Sequence, residues 1–273
     1  MIVDTHVHVT SDDLKRYPRV KDAYDWPTHT VESLLAAMDE VGIDRALLVQ
    51  PYFTYAFDNS YQADAALAHK NRFLCVCVID QLANGAPDIL SELVAKKGVA
   101  GIRFMHSKSV PGVLKDTRSI PTWERAQALG IPICVAARLD EIVHARGMIE
   151  RFPNVKVALE HMWVENIGEP PYRHFQPMFE MVQYPNVYLK ITPNNSYAAR
   201  EGKATPQAFF RSLVEHFGAK RIMWGSNYPA HWDKYGTIKD RLPLMQRDLA
   251  FLSADEQRWI FGETALSVWP SLR

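Results

Sequence analysis

The sequence predicts a single, slightly distorted parallel (β/α)8 barrel, and three observations predict it. Eight short apolar runs alternate with amphipathic stretches along the 273 residues. Several of those stretches pass into the next run through one kind of tight turn. No Gly-rich phosphate loop follows the first run, which disfavours a doubly wound open sheet.

In order, residues 2–9 read as the first strand. Residues 31–41 follow as a helix with Leu34, Leu35, Met38 and Val41 on one face and Gly42 as its cap. Strand 44–50, the Ala-rich helix 60–70 and strand 73–80 come next. Helix 89–96 repeats Leu90, Leu93 and Val94 before strand 99–105. Pro121 opens the following helix in the first-turn position that proline favours, and Gly130 closes it. Strand 131–136, helix 141–151, strand 155–161, helix 175–182 and strand 187–192 continue the alternation. Thr205 caps helix 206–217, strand 221–226 completes the count, and residues 229–273 supply a lid loop and closing helices. The phrases around Gly42, Gly130, Pro153, Pro185 and Gly218 are the recurring helix-to-strand turns. A barrel of this kind takes ~250 residues, so residues 1–273 form one domain.

Composition narrows the function. Thirty-one basic residues balance 31 acidic ones, which argues against a nucleic-acid binder. No apolar run approaches the ~18 residues of a membrane span, and the chain opens directly into a strand, so a cytoplasmic protein is expected. Cys75 and Cys77 sit two apart in an apolar run and read, with Cys134, as buried reduced thiols.

Polar residues gather where the strands end, which is where barrel chemistry belongs. With a two-residue period Asp4, His6 and His8 share one face of the first strand, and Val3, Val7 and Val9 the other. Two imidazoles so placed are ready metal ligands or proton carriers. His161 ends the sixth strand and is expected to follow Val155, Val157 and Leu159 inward. Asn227 emerges at the end of the eighth. Arg103, Arg138 and Lys190 are strand or strand-end cations. They read either as a carboxylate-binding set or as ion-pair partners of Asp4 or Glu160. His106, Tyr228 and His231 complete the expected rim, and the aromatic loops 51–55 and 228–232 are expected to wall a pocket for a planar or ring-shaped ligand.

Together, Ile2-Val3-Asp4-Thr5-His6-Val7-His8, His161, Asn186-Val187-Tyr188-Leu189-Lys190-Ile191, Gly225-Ser226-Asn227-Tyr228-Pro229 and Phe261-Gly262-Glu263-Thr264-Ala265-Leu266 resemble the amidohydrolase superfamily. Within it they are similar to the branch of pyrone-dicarboxylate lactonases, sugar-acid lactonases, galactarolactone isomerases and metal-dependent decarboxylases. The resemblance implies a divalent cation, zinc or manganese, on His6, His8 and His161 where a metal is used. It also implies a strand-five histidine and a strand-eight aspartate, and here the sequence departs: Arg138 follows a strand without histidine, and Asn227 replaces the aspartate. An amide cannot take a proton from water near neutral pH. The resemblance therefore points to a lactone-opening or lactone-isomerising enzyme for a small carboxylated substrate, in which metal is dispensable and His6, His8 or His161 moves the proton. Asn227 then hydrogen-bonds the lactone, and Arg103, Arg138 and Lys190 hold carboxylates. A metal-dependent amide or ester hydrolase or decarboxylase, and a catalytically silent binding barrel, are the rival readings. A homodimer is the expected assembly from symmetry statistics alone.

Overall fold

The structure is a computed structural model that describes residues 1–105, 113–162, 167–201 and 204–273. Eight parallel strands run in the order of the chain: β1 Val3–Val7, β2 Arg45–Val49, β3 Phe73–Cys77, β4 Val99–Met105, β5 Ile133–Ala136, β6 Val157–Glu160, β7 Val187–Ile191 and β8 Ile222–Trp224. Each strand pairs with its successor, and a bridge between Val7 and Tyr228 brings the two ends of the sheet together. The (β/α)8 barrel expected from the alternation is therefore the fold. The strands are shorter than the apolar runs suggested, because several run ends lie in the turns that enter or leave the barrel.

Its helices include α1 Val31–Val41, α2 Ser60–Ala68, α3 Ala86–Lys97, α4 Ile120–Leu129, α5 Arg146–Arg151, α6 Pro193–Glu201, α7 Pro206–Phe217, α8 Ile238–Asp248 and α9 Thr264–Val268. Thr30 and Thr205 cap α1 and α7 with their hydroxyls, and Gly42 and Gly130 end α1 and α4 at left-handed φ of 76° and 65°. Three details differ from the sequence reading. The stretch 141–151 begins as a 3-10 turn, Ile142–Ala145, before α5. The stretch 175–182 is α-helical only over Gln176–Phe179. The helix α6 was not foreseen, since Thr192-Pro193-Asn194-Asn195-Ser196 reads as a turn.

Two layers make the core. Side chains such as Ile102, Phe104, Val157, Leu159, Val187 and Leu189 pack outward beneath the helices. Inside the barrel Val3, Leu47, Val49, Val76, Cys134, Ala158 and Met223 meet α9 and the following Trp269 and Leu272. Trp269 donates its indole N–H to Ala100 O (3.1 Å), so the C-terminal segment plugs the end where the strands begin. Chemistry is left to the opposite end. No helix among the described residues is long and apolar enough to cross a membrane.

The first strand contains a bulge. Three residue steps of β1, from Asp4 to Val7, span two of β2, from Ala46 to Leu48. Val3 consequently points into the barrel while Val7 and Val9 join the outer layer, so the single-face grouping of these valines is corrected. The extra residue inverts the parity. Asp4 is turned to the β1–β8 seam, where its Oδ1 accepts from Ser226 N (2.8 Å) and His6 N (3.0 Å), and it does not share the histidines' face. Thr5 Oγ1 donates to Trp224 O (2.7 Å), Asn227 N to His6 O (2.7 Å) and His8 N to Tyr228 O (2.8 Å).

The seam leaves no room beside Gly225. A Cβ there would stand 2.8 Å from His6 Cβ and 2.9 Å from His6 N, whereas one at Gly85 would meet nothing within 4 Å. Gly225→Ala should cost about 1–3 kcal/mol of stability by overpacking, and Gly85→Ala should be near neutral; urea unfolding of both variants measures the difference.

Candidate active site

His6 within the bulge and His8 just after β1 lie on the lumen side, and both are buried. His161 arrives by a different route from the one its parity suggested. Val157 and Leu159 face the helices and Ala158 faces the lumen, so strict alternation would send residue 161 outward. The strand ends at Glu160, and His161 and Met162 take left-handed φ of 56° and 58°, which turns the imidazole back over the barrel. Asn195, on the first turn of α6, holds that turn. Its Nδ2 donates to His161 O (2.7 Å) and its Oδ1 accepts from Thr192 N (3.0 Å).

The three imidazoles meet at their Nε2 atoms: His6 to His8 at 3.2 Å, and His6 to His161 at 3.3 Å. His8 Nδ1 contacts Val49 O at 2.7 Å, and a carbonyl can only accept, so His8 carries its proton on Nδ1 and leaves Nε2 a lone pair. His6 Nδ1 lies 3.1 Å from Glu160 Oε1, oblique for a hydrogen bond but close enough for the carboxylate to favour a proton there too. His6 Nε2 faces that lone pair at 3.2 Å and donates to it unless its proton sits on Nδ1 toward Glu160.

A tetrahedral metal with N ligands at ~2.0–2.1 Å has ligand–ligand edges of about 3.3–3.4 Å, close to both separations. The donor atoms of His6, Glu160 and His161 all lie within 4.8 Å of one another and form the group among the described residues able to hold a metal ion. His8 lies outside that group, with its Nε2 against His6 Nε2. Glu160 is the less available donor, because it is already engaged. Its Oε2 accepts from Arg103 Nε at 2.7 Å and its Oε1 from Lys190 Nζ at 3.0 Å. Lys190 also reaches Cys134 Sγ (3.3 Å) and stands over the Trp269 ring.

Burial governs the titration of these groups. It pushes His8 and His161 down to about 3 and His6 well below its usual range, the last against the pull of Glu160. The imidazoles are therefore neutral bases of low proton affinity. The physical reason is that an imidazolium here has no water to solvate it. Burial alone would raise Glu160, but Arg103, His6 and Lys190 hold its carboxyl well below the ordinary range. Lys190 is also held charged, because Cys134 and Glu160 outweigh its desolvation.

The remaining expected residues divide. Arg103 and Lys190 are in the cluster as ion-pair partners of Glu160, the second of the two readings open to them. Asn227, at φ 54°, sits at the mouth with Nδ2 3.4 Å from Asn194 Oδ1. Tyr228 is half-buried beside it. Arg138 is exposed and paired with Asp140 (3.2 Å), and His231 is on the surface, so neither is drawn into the cluster. His106 lies outside the described residues.

Residues that sequence reasoning passed over come mainly from the loop after β1. Trp26 lies against His8 with ring centroids 5.2 Å apart, and Tyr24 stacks on Phe53 at 4.6 Å, joining that loop to the expected aromatic wall. His29 is buried edge-on to Tyr228 (4.4 Å). Arg241 of α8 is fully buried and donates to the carbonyls of Ser226, Ala230 and Gly236, which shapes the turn around Asn227. None has a periodic pattern that marks it; only its position before the capping Thr30 distinguishes His29.

A buried histidine cluster at the C-terminal ends of barrel strands lies where a barrel enzyme carries its chemistry. The sequence profile of the amidohydrolase family matches residues 3–270, and the chain belongs to that family. It is 25% identical over 255 residues to an L-fucono-1,5-lactonase of Burkholderia ambifaria, covering 86% of this chain and 84% of that one. It is 23% identical to a 4-sulfomuconolactone hydrolase of Rhizobium radiobacter, covering 83% and 75%. In fold it resembles an amidohydrolase from Burkholderia multivorans crystallised with zinc, with a TM-score of 0.80 at 17% identity over 99% of both chains.

Acid should weaken the fold in a characteristic window. Unfolded histidines take up protons near 6.5, while His8 and His161 in the folded chain wait until about 3. Stability is complete above pH 6.5 and falls as the pH drops toward 3. Asp4, raised by burial to about 6, opposes the trend below that pH. Urea midpoints of chelator-treated protein should decline from pH 7 to 5, and less steeply in His161→Asn; a flat profile would contradict neutral burial.

Proposed function

We propose that this chain hydrolyses a lactone, and the gathering of His6, His8 and His161 around His6 Nε2 at the barrel mouth is the observation that carries the reading. A divalent cation held by His6 and His161, with Glu160 beside them, would polarise the ester carbonyl and make water more acidic. The two curated relatives act on lactones by name, which supports the substrate class.

Asn227 favours an ester over an amide. Amide cleavage needs the departing nitrogen protonated, and an acidic side chain at the mouth ordinarily carries that proton. In a lactone the attacking water bonds to the carbonyl carbon, the ring C–O bond breaks, and the water's proton ends on the released alkoxide. A neutral amide at Asn227 serves such a reaction by hydrogen bonding to the ring ester while Asn194 restrains it. Arg103 is the cation placed to face a substrate carboxylate, since beyond Glu160 its Nη1 meets the soft Met105 Sδ at 3.6 Å. Three unpaired buried cysteines support a reducing, cytoplasmic setting.

A panel of sugar-acid and unsaturated lactones, followed by acid release, tests the proposal. Turnover should fall at least about 100-fold in His8→Ala and His161→Ala, and chelation should suppress it until zinc or manganese is restored. Failure of the wild-type protein to open any lactone in the panel would sink the reading. Asn195→Ala, which frees the turn at His161, should lower kcat about 10–100-fold with KM little changed.

A further inference from the structure

Asparagine followed by glycine occurs once in the chain, at Asn84-Gly85 in the loop between β3 and α3. An asparagine side chain can react with its own backbone when the next residue's amide nitrogen is free to reach its carbonyl carbon. What decides is where each such N–H is spent. After Asn59 it donates to Asp58 Oδ1 (2.8 Å), after Asn71 to His69 O (2.8 Å) and after Asn154 to Phe152 O (3.0 Å). After Asn186, Asn194 and Asn227 it goes to Tyr184 O (3.1 Å), Thr192 O (3.0 Å) and Ser226 Oγ (3.1 Å). Ser196, after Asn195, lies inside α6, and the Asn195 amide is itself held by His161 O and Thr192 N. Asn166 lies outside the described residues. Gly85 differs from all of these. Among the described residues its N–H donates no hydrogen bond, and the Asn84 amide has no partner. Both residues are exposed, and a Cβ on Gly85 would meet nothing within 4 Å, so the turn is open.

We propose that Asn84 is a site of self-modification, at which the folded chain converts with age into aspartate and isoaspartate forms. Gly85 N, having lost its proton to solvent, bonds to Asn84 Cγ; the Cγ–Nδ2 bond breaks, ammonia leaves and an imide ring closes. Water then opens the ring. Cleavage between Gly85 N and Cγ gives aspartate. Cleavage between Gly85 N and the backbone carbonyl carbon gives isoaspartate, with the chain running through the former side chain. Glycine favours closure because no Cβ crowds the approach of its nitrogen. Either product adds a negative charge at the end of the barrel where the histidines lie. It does so on the same loop as Gln81, whose Nε2 donates to Arg103 O (2.9 Å).

Folded protein kept in warm, mildly alkaline buffer, digested with trypsin and mapped by mass spectrometry, tests this. Isoaspartate is scored by methyl transfer from an isoaspartyl methyltransferase. Peptide 73–96 holds Asn84 as its single asparagine. It should gain the mass of an amide-to-acid exchange and accept methyl groups, while peptides holding Asn59, Asn186 and Asn195 stay unchanged. Gly85→Ala, expected to fold normally, should slow the exchange at least about tenfold, and Asn84→Gln should leave no isoaspartate there. In urea Asn59 and Asn195 should begin to react while Asn84 changes little, because the fold protects the first two and not the third. An Asn84 that stays intact, that reacts far more slowly folded than in urea, or that reacts no faster than Asn195 in the folded chain would each overturn the proposal.

Discussion

Glu160 carries one buried charge, and much of the barrel's upper interior is arranged to keep it there. An unpaired carboxylate at this depth would cost several kcal/mol. Arg103 from β4 and Lys190 from β7 donate to its two oxygens, and His6 from β1 presents Nδ1 to it. Four strands are thereby tied through one side chain. The neighbouring residue in sequence is His161, so whatever positions Glu160 also sets where the chain must turn to bring the third imidazole in. Removing any one partner would strand the others, which makes this cluster stiff, and stiffness is what a ligand set needs.

The second constraint is the seam. Parallel strands β8 and β1 close the sheet through few ladder bonds, supplemented by Asp4, Thr5 and Ser226. The bulge that turns Asp4 to this seam also sends His6 and His8 to the lumen. Closure and ligand placement are thus one event, and Gly225 is required because β8 passes so near His6 that no side chain fits. Placement of the His6 and His8 rings follows from this backbone packing and from the second-nitrogen contacts at Val49 and Glu160.

Electrostatically the molecule differs from what its formal neutrality suggests. Its surface ion pairs, such as Arg138–Asp140, are exposed and worth little. The charges that matter are the buried ones, where two cations surround one carboxylate below three neutral bases.

The sequence by itself determined the barrel, because alternation of apolar runs with amphipathic stretches and short turns leaves few other ways to bury both faces of a parallel sheet. It also singled out His6, His8, His161 and Asn227, since unusual polar residues at strand ends are visible in one dimension. Tertiary structure decided the rest. Parity failed at Asp4 and at His161, because a bulge and a left-handed turn are set by contacts with Ser226 and Asn195, hundreds of positions or a whole β-α unit away. Pairing of Arg103 and Lys190 with Glu160 was one of two open readings until the strands stood side by side. Trp26, His29 and Arg241 carry no periodic signal, so only the closed barrel shows what they touch. And the neutral state of the imidazoles follows from burial, a property of the folded volume that no local spacing encodes.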